Sequence, residues 1–356
     1  MNPDIFAERR ERLRARLAER GLAALLVSHD ANRYYLSGFE LHDTQCDETA
    51  GWLLVRAQGG DILLTDPRYE EAAKARMGSD GVFIYTGRRY EQIGPMLKDR
   101  VGGALGYESK ALSAFERDKL AEYLELTPQD GHVEALRVIK DADEIARMRA
   151  SCALNHRVLA EVEAWVEPGM TEARVAWEIE RRFREGGATE LAFPSIVAVG
   201  ANAALPHAIP AETTLRDNEL LLVDTGCRLD GYCSDQTRTW WIGDAPSARY
   251  ATMLERVLEA HDAAAAALRP GLACAEAYRI ARAVFDKYGV AERFNHSLGH
   301  GVGLQTHEAP SLSPMSGATL RPGMVVTVEP GLYYPEWGGA RWEHMAVITP
   351  DGCELL

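Results

Sequence analysis

The sequence has few of the features that mark secreted or membrane-spanning proteins. Its six cysteines form no CxxC pair and no regular spacing, which excludes the disulfide framework of a small secreted domain and indicates reduced thiols. No apolar run approaches the roughly 20 residues that a membrane-spanning helix needs. The opening residues are charged and amphipathic rather than continuously apolar. We therefore expect a cytoplasmic protein.

Basic residues are also fewer than acidic residues. The chain has 39 Lys and Arg against 53 Asp and Glu, a net charge of −14. Because this charge is spread along the sequence, it disfavours nucleic acid and anionic membrane as partners. No phosphate-binding glycine loop is found in the first part of the chain, since its glycine pairs at residues 59–60 and 102–103 lack the strand–loop–helix setting. What remains is an ordinary globular composition, long enough for two domains.

The first part of the chain alternates apolar strands with helical segments. Strands are predicted at residues 23–27, 51–55, 61–65 and 82–85, and helices at residues 5–20, 69–76, 90–98 and 113–124. This alternation predicts a small α/β domain over residues 1–135, followed by a second domain over residues 136–356.

The second part contains an internal repeat. A Pro-Gly pair, at residues 168–169 and again at 270–271, separates a long predicted helix from a shorter one. These helices are predicted at residues 141–165, 173–185, 248–268 and 275–288. Strand-rich sequence follows each copy. We predict two related halves that meet across a pseudo-two-fold axis, with chance likeness of two helix–hairpin units as the alternative.

A β-hairpin with two acidic residues is predicted in the first half, at residues 220–242. Its Asp-Gly turn sets a register in which Asp224 faces Thr237. Asp235 then lies on the same face as Asp224, close enough for both to share a partner. Neighbouring carboxylates are costly to bury, and a shared proton or a metal ion is the usual remedy.

The second half supplies two more acids. Glu329 directly follows an apolar strand, and Glu343 interrupts a strand predicted at residues 341–348. His300, in a glycine-rich segment, is the fifth candidate ligand. The predicted metal ligands are thus Asp224, Asp235, His300, Glu329 and Glu343. Any one of these acids alone would more often be a surface or turn residue.

The charges of these residues indicate which metal they suit. Four carboxylates balance two divalent cations, and a water molecule between the cations would lose a proton easily. Mostly oxygen ligands favour manganese, with cobalt, iron or zinc as alternatives. His207 and His307 are predicted to shuttle protons or stabilise an oxyanion beside this site. His296 either orients a ligand or is structural.

These segments resemble the signatures of a known family. PHA, VDTG with SDQTRT, HSLGHGVGLQTHEAP, TVEPG and RWEH, spread over residues 140–356, are similar to motifs of the "pita-bread" metallopeptidases, which include methionine aminopeptidase, aminopeptidase P and prolidase. NRYYLSGF in the first domain resembles the creatinase-type domain of the proline-specific members. The resemblance implies an α+β protein, with a smaller α/β creatinase-type domain preceding a pita-bread domain of pseudo-two-fold halves.

The resemblance also implies an activity. It is that of a dinuclear metal-dependent exopeptidase, which hydrolyses the Xaa-Pro bond of peptides with proline at the second position. Glu329 would take up a proton, His207 would hold the tetrahedral intermediate and His307 would contact the substrate. A homodimer is implied as well, with the loop at residues 38–43 reaching the neighbouring active site. Creatinase has this fold without the metal ligands, so the five intact positions weigh against its activity.

Departures from the family pattern bear on the substrate. Ser311 stands where many dipeptidases carry an arginine that pairs with the free carboxylate of proline. We therefore expect an aminopeptidase P-like enzyme, with an Xaa-Pro dipeptidase (prolidase) as the alternative. Arg341 either replaces that arginine in binding substrate or only braces a ligand. A third alternative is a non-catalytic interaction protein, but such relatives usually lose ligands and gain basic tails, and this chain does neither.

Overall fold

The computed structural model describes residues 3–43 and 48–356. They form two compact units, Met1–Arg137 and Val138–Leu356. Five cysteines are free thiols, and Cys46, also expected to be reduced, lies outside the described residues. Within the described ranges, none of the helices has both the length and the apolar character that crossing a bilayer requires.

A six-stranded mixed sheet forms the centre of the first unit. Its strands β1 to β6 are Ala24–Val27, Trp52–Arg56, Ile62–Thr65, Val82–Ile84, Leu105–Tyr107 and Leu126–Pro128. They lie in the order β4-β3-β2-β1-β5-β6, antiparallel where β2 meets β1 and β3 and parallel elsewhere. Strands β1 and β3 are buried throughout, as expected of continuous apolar runs.

Helices cover this sheet and bury its apolar side chains. They are α1 to α6, with bounds Pro3–Glu19, Asp30–Ser37, Glu70–Met77, Arg89–Val101, Ala114–Ala121 and Glu134–Arg137. Helix α2 ends at Gly38, whose φ of 69° is the left-handed conformation that glycine adopts without strain. The core between helices and sheet includes Leu26, Leu54, Ile93 and Leu97.

Two long and two shorter helices recur in the second unit, as the repeat predicts. They are α7 to α10, with bounds Ala142–Trp165, Glu172–Glu185, Ala248–Ala267 and Cys274–Lys287. Helix α7 begins with a capping box in which Asp141 and Glu144 exchange side-chain to backbone hydrogen bonds. The Pro-Gly segments are paired alike in both halves: Gly169 N donates to Leu215 O at 2.9 Å, and Gly271 N donates to Leu320 O at 2.9 Å.

Thirteen short strands complete the second unit. Strands β7 to β19 are Glu190–Leu191, Ile196–Val199, Glu219–Thr225, Cys227–Leu229, Tyr232–Cys233, Gln236–Ile242, His300–Gly301, Glu308–Ser311, Val325–Val328, Gly331–Tyr334, Gly338–Arg341, His344–Ile348 and Cys353–Leu355. They form sheets of order β12-β9-β8, β11-β10-β7, β14-β13-β15-β18-β19 and β16-β17. Helices α9 and α10 share one large apolar cluster with β8, β9, β15, β16, β17 and β18.

The first hairpin has the predicted register. Asp224 pairs with Thr237 in β9 and β12, and Leu229 pairs with Tyr232 in β10 and β11. The prediction of one continuous returning strand over residues 232–242 is wrong, because the strand is interrupted between β11 and β12, where Asp235 lies.

The same correction applies to the second hairpin. The strand predicted over residues 341–348 is interrupted between β17 and β18, at Glu343. Here the backbone N–H of Glu343 donates to Thr237 O of the first hairpin, at 3.2 Å, instead of continuing its own ladder. Glu329 likewise lies between β15 and β16. Three of the four predicted acidic ligands therefore lie at interruptions, which free them from a regular ladder.

Candidate metal centre

One cavity of about 460 Å³ in the second unit is lined by every residue predicted for the site. These residues are His207, Asp224, Asp235, His296, His300, His307, Glu329, Arg341 and Glu343. They come from separate strands and loops of both halves, so the fold brings together residues up to 136 positions apart (His207 to Glu343). The rest of the lining is mostly apolar and includes Phe193 and Ile209.

Three buried acids form the centre of this cavity. A carboxylate oxygen from each of Asp224, Asp235 and Glu343 lies within 4.8 Å of the other two. Their residues are only 8 %, 4 % and 1 % exposed. Because like charges this close repel and water is excluded, such a cluster is stable only with bound protons or cations.

The electrostatics of the acids fit divalent cations. Burial and the neighbouring carboxylates raise the pKa of Asp235 and of Glu343 well above the ordinary range. Burial also raises the pKa of Glu329 to about 8. Asp224 Oδ1 is buried and accepts no hydrogen bond from the described residues. An acceptor left unsatisfied among buried acids is a position that a hard cation can fill.

His300 and Glu329 adjoin this cluster. His300 Nε2 is 3.4 Å from Glu329 Oε1 and 3.6 Å from Asp235 Oδ2. On the other side of the ring, Nδ1 is 3.1 Å from the carbonyl of Gly301. A proton on Nδ1 would leave the Nε2 lone pair facing the acids. Burial lowers the pKa of His300 to about 4, which favours the neutral imidazole that binds metals.

Two threonines that the sequence analysis missed hold the acidic side chains. Thr237 Oγ1 donates to Glu343 Oε2 at 2.6 Å. Thr327 Oγ1 donates to Glu329 Oε1 at 3.1 Å and accepts from the backbone N–H of His300 at 3.0 Å. Both positions carried a signal: Thr237 faces Asp224 in the predicted register, and Thr327 is the polar residue within the apolar run of β15.

Arg341 contacts the cluster from a buried position. Its Nη2 is 2.6 Å from Asp224 Oδ2, its Nε donates to Thr237 Oγ1 at 3.0 Å, and its Nη1 donates to the hydroxyl of Tyr333 at 2.7 Å. The hydroxyl of Tyr333, a residue that was also not predicted from the sequence, lies 3.0 Å from His296 Nε2. The guanidinium of Arg341 is therefore bonded to the candidate ligand Asp224. His296 joins the same hydrogen-bond network through Tyr333.

His207 and His307 are both exposed at the cavity. The His307 ring packs edge-on against His300, with centroids 4.2 Å apart. Burial of part of the ring, followed by the nearby His207, lowers the pKa of His307. A neutral imidazole can accept or donate a proton at the cavity surface.

A buried ion pair anchors the segment that carries His307. Lys140 Nζ is 3.3 Å from Glu308 Oε2, and these two side chains are 1 % and 6 % exposed. The other carboxylate oxygen of Glu308 accepts the backbone N–H of Gln305 at 3.0 Å. A Cβ at Gly303 would lie 2.7 Å from this carboxylate, so glycine allows the turn to close over Glu308.

Comparison with known families gives two matches that together span most of the chain. The profile described as Metallopeptidase family M24 matches residues 146–350. The profile described as Creatinase/Prolidase N-terminal domain matches residues 9–139.

Individual relatives match over nearly their whole length. The chain is 32 % identical to an Xaa-Pro dipeptidase of Pyrococcus horikoshii over 99 % of this chain and 97 % of that protein. Among solved structures, an Xaa-Pro dipeptidase from Bacillus anthracis has 33 % identity and a TM-score of 0.92, with 98 % and 97 % covered. An X-Pro aminopeptidase from Thermotoga maritima has 29 % identity and a TM-score of 0.84, with 95 % and 96 % covered.

Proposed function

The chain belongs to metallopeptidase family M24, and its pita-bread domain follows a creatinase-type domain in the sequence. We propose that it hydrolyses the Xaa-Pro bond of short peptides as an Xaa-Pro dipeptidase. The two Xaa-Pro dipeptidases named above favour this activity over the aminopeptidase P-like activity that the departures from the family pattern favoured. Metal-dependent peptide hydrolysis is common to both activities.

One observation carries the proposal: four acids and a histidine that suit metal binding adjoin two exposed histidines in one cavity. We propose Asp224, Asp235, His300, Glu329 and Glu343 as the ligands of two divalent cations. The four carboxylates balance the charge of these cations. A cavity of about 460 Å³ is also large enough for a dipeptide or tripeptide.

Two divalent ions, when bound, would lower the pKa of a water molecule and polarise the scissile carbonyl. Within the cavity, His207 would donate a hydrogen bond to the carbonyl oxygen as negative charge develops on it. Glu329 would accept a proton and pass it to the proline nitrogen that leaves. His307, whose ring packs against that of His300, would orient the substrate.

An Xaa-Pro aminopeptidase is the second candidate, favoured by the charges around the cavity. Arg341 is the one Lys or Arg among the described residues that line it, and its guanidinium is bonded to Asp224, Thr237 and Tyr333. A dipeptide would bring a free proline carboxylate, which binds best to an available cation. A longer peptide has no charge at that point.

Peptide hydrolysis with two matched substrates tests both candidates. Alanyl-proline and alanyl-prolyl-alanine are incubated with the chelator-treated protein, with and without manganese or cobalt. The dipeptidase proposal predicts metal-dependent release of alanine, with the higher kcat/KM for the dipeptide. Higher kcat/KM for the tripeptide would establish the aminopeptidase instead. No turnover of either by folded, metal-loaded protein would reject both and favour an interaction protein.

The metal, oligomeric state and location are further proposals. We propose manganese, on the oxygen-rich ligand set, and calorimetric titration should give two sites per chain. We propose a homodimer whose loop at residues 38–43 contacts the neighbouring active site, and sedimentation velocity measures its mass. A cytoplasmic location is supported by the free thiols of the five described cysteines, and cell fractionation tests it.

A further inference from the structure

A buried glutamate outside the cavity holds the segment that carries His207. Glu172, in the first turn of α8, is 0 % exposed. Its Oε1 accepts the backbone N–H of Val199 at 2.8 Å and the side-chain Nδ2 of Asn202 at 2.9 Å. Its Oε2 accepts the backbone N–H of Ala211 at 3.1 Å. One carboxylate therefore binds both ends of residues 199–211, here named the His207 loop.

Hydrogen bonds from outside the His207 loop contribute to its path. Within the described part of the chain no hydrogen bond reaches the imidazole of His207, so its position follows the backbone that carries it. The centre of the loop has short turns, with Leu205 N donating to Asn202 O at 3.0 Å, and a long bond of 3.4 Å from Arg341 Nη1 to Pro206 O. The three bonds to the Glu172 carboxylate, at 2.8 to 3.1 Å, are shorter than the Arg341 bond.

We propose that Glu172 is a positioning residue for His207. It does not line the cavity; it sets the path of the loop so that the imidazole stands at the cavity surface. This inference rests on the proposed function for the role of His207. Because an oxyanion donor must be placed to within a fraction of an ångström, a loosened loop lowers the rate of the chemical step more than substrate binding.

The kinetic test uses Glu172→Gln, which keeps the size of the side chain. In either orientation, its amide nitrogen faces at least one N–H donor that the carboxylate now accepts. We expect kcat for the preferred Xaa-Pro substrate to fall about 10-fold while KM changes less than about 2-fold. Asn202→Ala, which removes one of the three bonds without changing Glu172, should lower kcat about 3-fold in the same way.

A double-variant cycle separates positioning from a general loss of structure. In the His207→Ala protein, Glu172→Gln should cause no further fall in kcat, because the residue through which it acts is gone. Glu178→Gln is the matched control, since Glu178 is a 4 % exposed carboxylate of the same helix that bonds Arg181 and Arg182 of that helix. Unchanged kcat in Glu172→Gln, or an equal fold-loss in both backgrounds, would overturn the proposal.

Hydrogen exchange measures the loop without any assay of activity. In metal-free protein, at least one of the two amides, Val199 or Ala211, should exchange at least about 10-fold faster in Glu172→Gln than in wild type, with little change in Glu178→Gln. Unchanged exchange would overturn the claim that Glu172 holds the loop. Failure of wild-type protein to cleave any Xaa-Pro peptide would instead reject the proposed function, and the exchange result would still stand.

Discussion

The hydroxyl of Thr237 donates a 2.6 Å hydrogen bond to the carboxylate of Glu343. In return, the backbone N–H of Glu343 donates to the carbonyl of Thr237 at 3.2 Å. Thr237 belongs to the hairpin of the first half and Glu343 to that of the second. The two halves are therefore joined at the point where their acids meet, and the orientation of one candidate ligand depends on a neutral residue of the other half.

Thr237→Val should weaken metal binding about 10- to 100-fold, because residues that orient ligands typically contribute this much to metal affinity. Valine has the same shape but cannot donate to Glu343 or accept from Arg341. The measurement is calorimetric titration of chelator-treated protein with manganese. Thr237→Ser, which keeps the hydroxyl, is the matched control and should bind metal like wild type. Equal affinity in the valine variant would show that this bond is dispensable.

Asp235→Ala and Glu343→Ala should each abolish peptide hydrolysis with little loss of folding. Removal of a buried carboxylate from the cluster relieves repulsion in metal-free protein, which offsets the lost packing. The thermal midpoint without metal should therefore stay within about 4 °C of wild type. Hydrolysis assays and thermal melts followed by circular dichroism provide the two measurements. An active Glu343→Ala protein would show that Glu343 is not a required ligand.

Metal-free protein should lose stability as pH rises from about 6.5 to 8. With its pKa raised to about 8, Glu329 keeps a proton that the unfolded chain has released. The free energy of unfolding then falls by up to about 1.4 kcal/mol per pH unit for one such group. His300, with its pKa lowered to about 4, acts in the opposite sense, but only below its ordinary value of 6.5.

Denaturant melts across this pH range, with chelator present, measure the effect. Glu329→Gln should make the dependence shallower, because it removes one of the titrating groups. Saturating manganese should reverse the slope, since ligand carboxylates bind metal in the deprotonated form. A metal-free wild-type slope equal to that of Glu329→Gln would contradict the assignment.

Ser311→Arg should shift selectivity toward dipeptides. Ser311 is exposed at the end of β14 and pairs with His300 across the ladder, so an arginine there would stand beside the cavity. An added ion pair with the proline carboxylate should raise the ratio of dipeptide to tripeptide kcat/KM about 10-fold. Ser311→Gln, which adds a long polar side chain without the positive charge of arginine, is the control. An unchanged ratio in the arginine variant would mean that this position does not meet the substrate carboxylate.

Much of the architecture could be predicted from local pattern. The apolar runs of β1, β2 and β3 and the helices of both repeats lie within a few residues of their predicted bounds. Strands β5 and β6 were missed because these short segments contain Gly106 and Pro128, residue types that are depleted in strands. The interruption at Glu343 could not be predicted either, since the backbone there bonds to Thr237 of the other hairpin, which no local pattern indicates.

For the candidate site, residue type and spacing indicated which side chains converge on the cavity, and their roles stay predictions. Thr237, Thr327 and Tyr333 were missed because hydroxyl residues are common on strands and nothing local marks a bond to a distant acid. Glu172 was missed for a related reason. A glutamate in the first turn of a helix is ordinary, and only the folded chain brings the ends of the His207 loop to it.

The Lys140–Glu308 pair limits where the chain can be cut to produce the second unit by itself. A fragment that starts at residue 146, where the M24 match begins, would lack this lysine and leave Glu308 as a buried charge without its lysine partner. Loss of one member of a buried pair costs about 3–5 kcal/mol, a large share of what keeps a domain folded. Truncations should therefore start upstream of Lys140, at the division after Arg137.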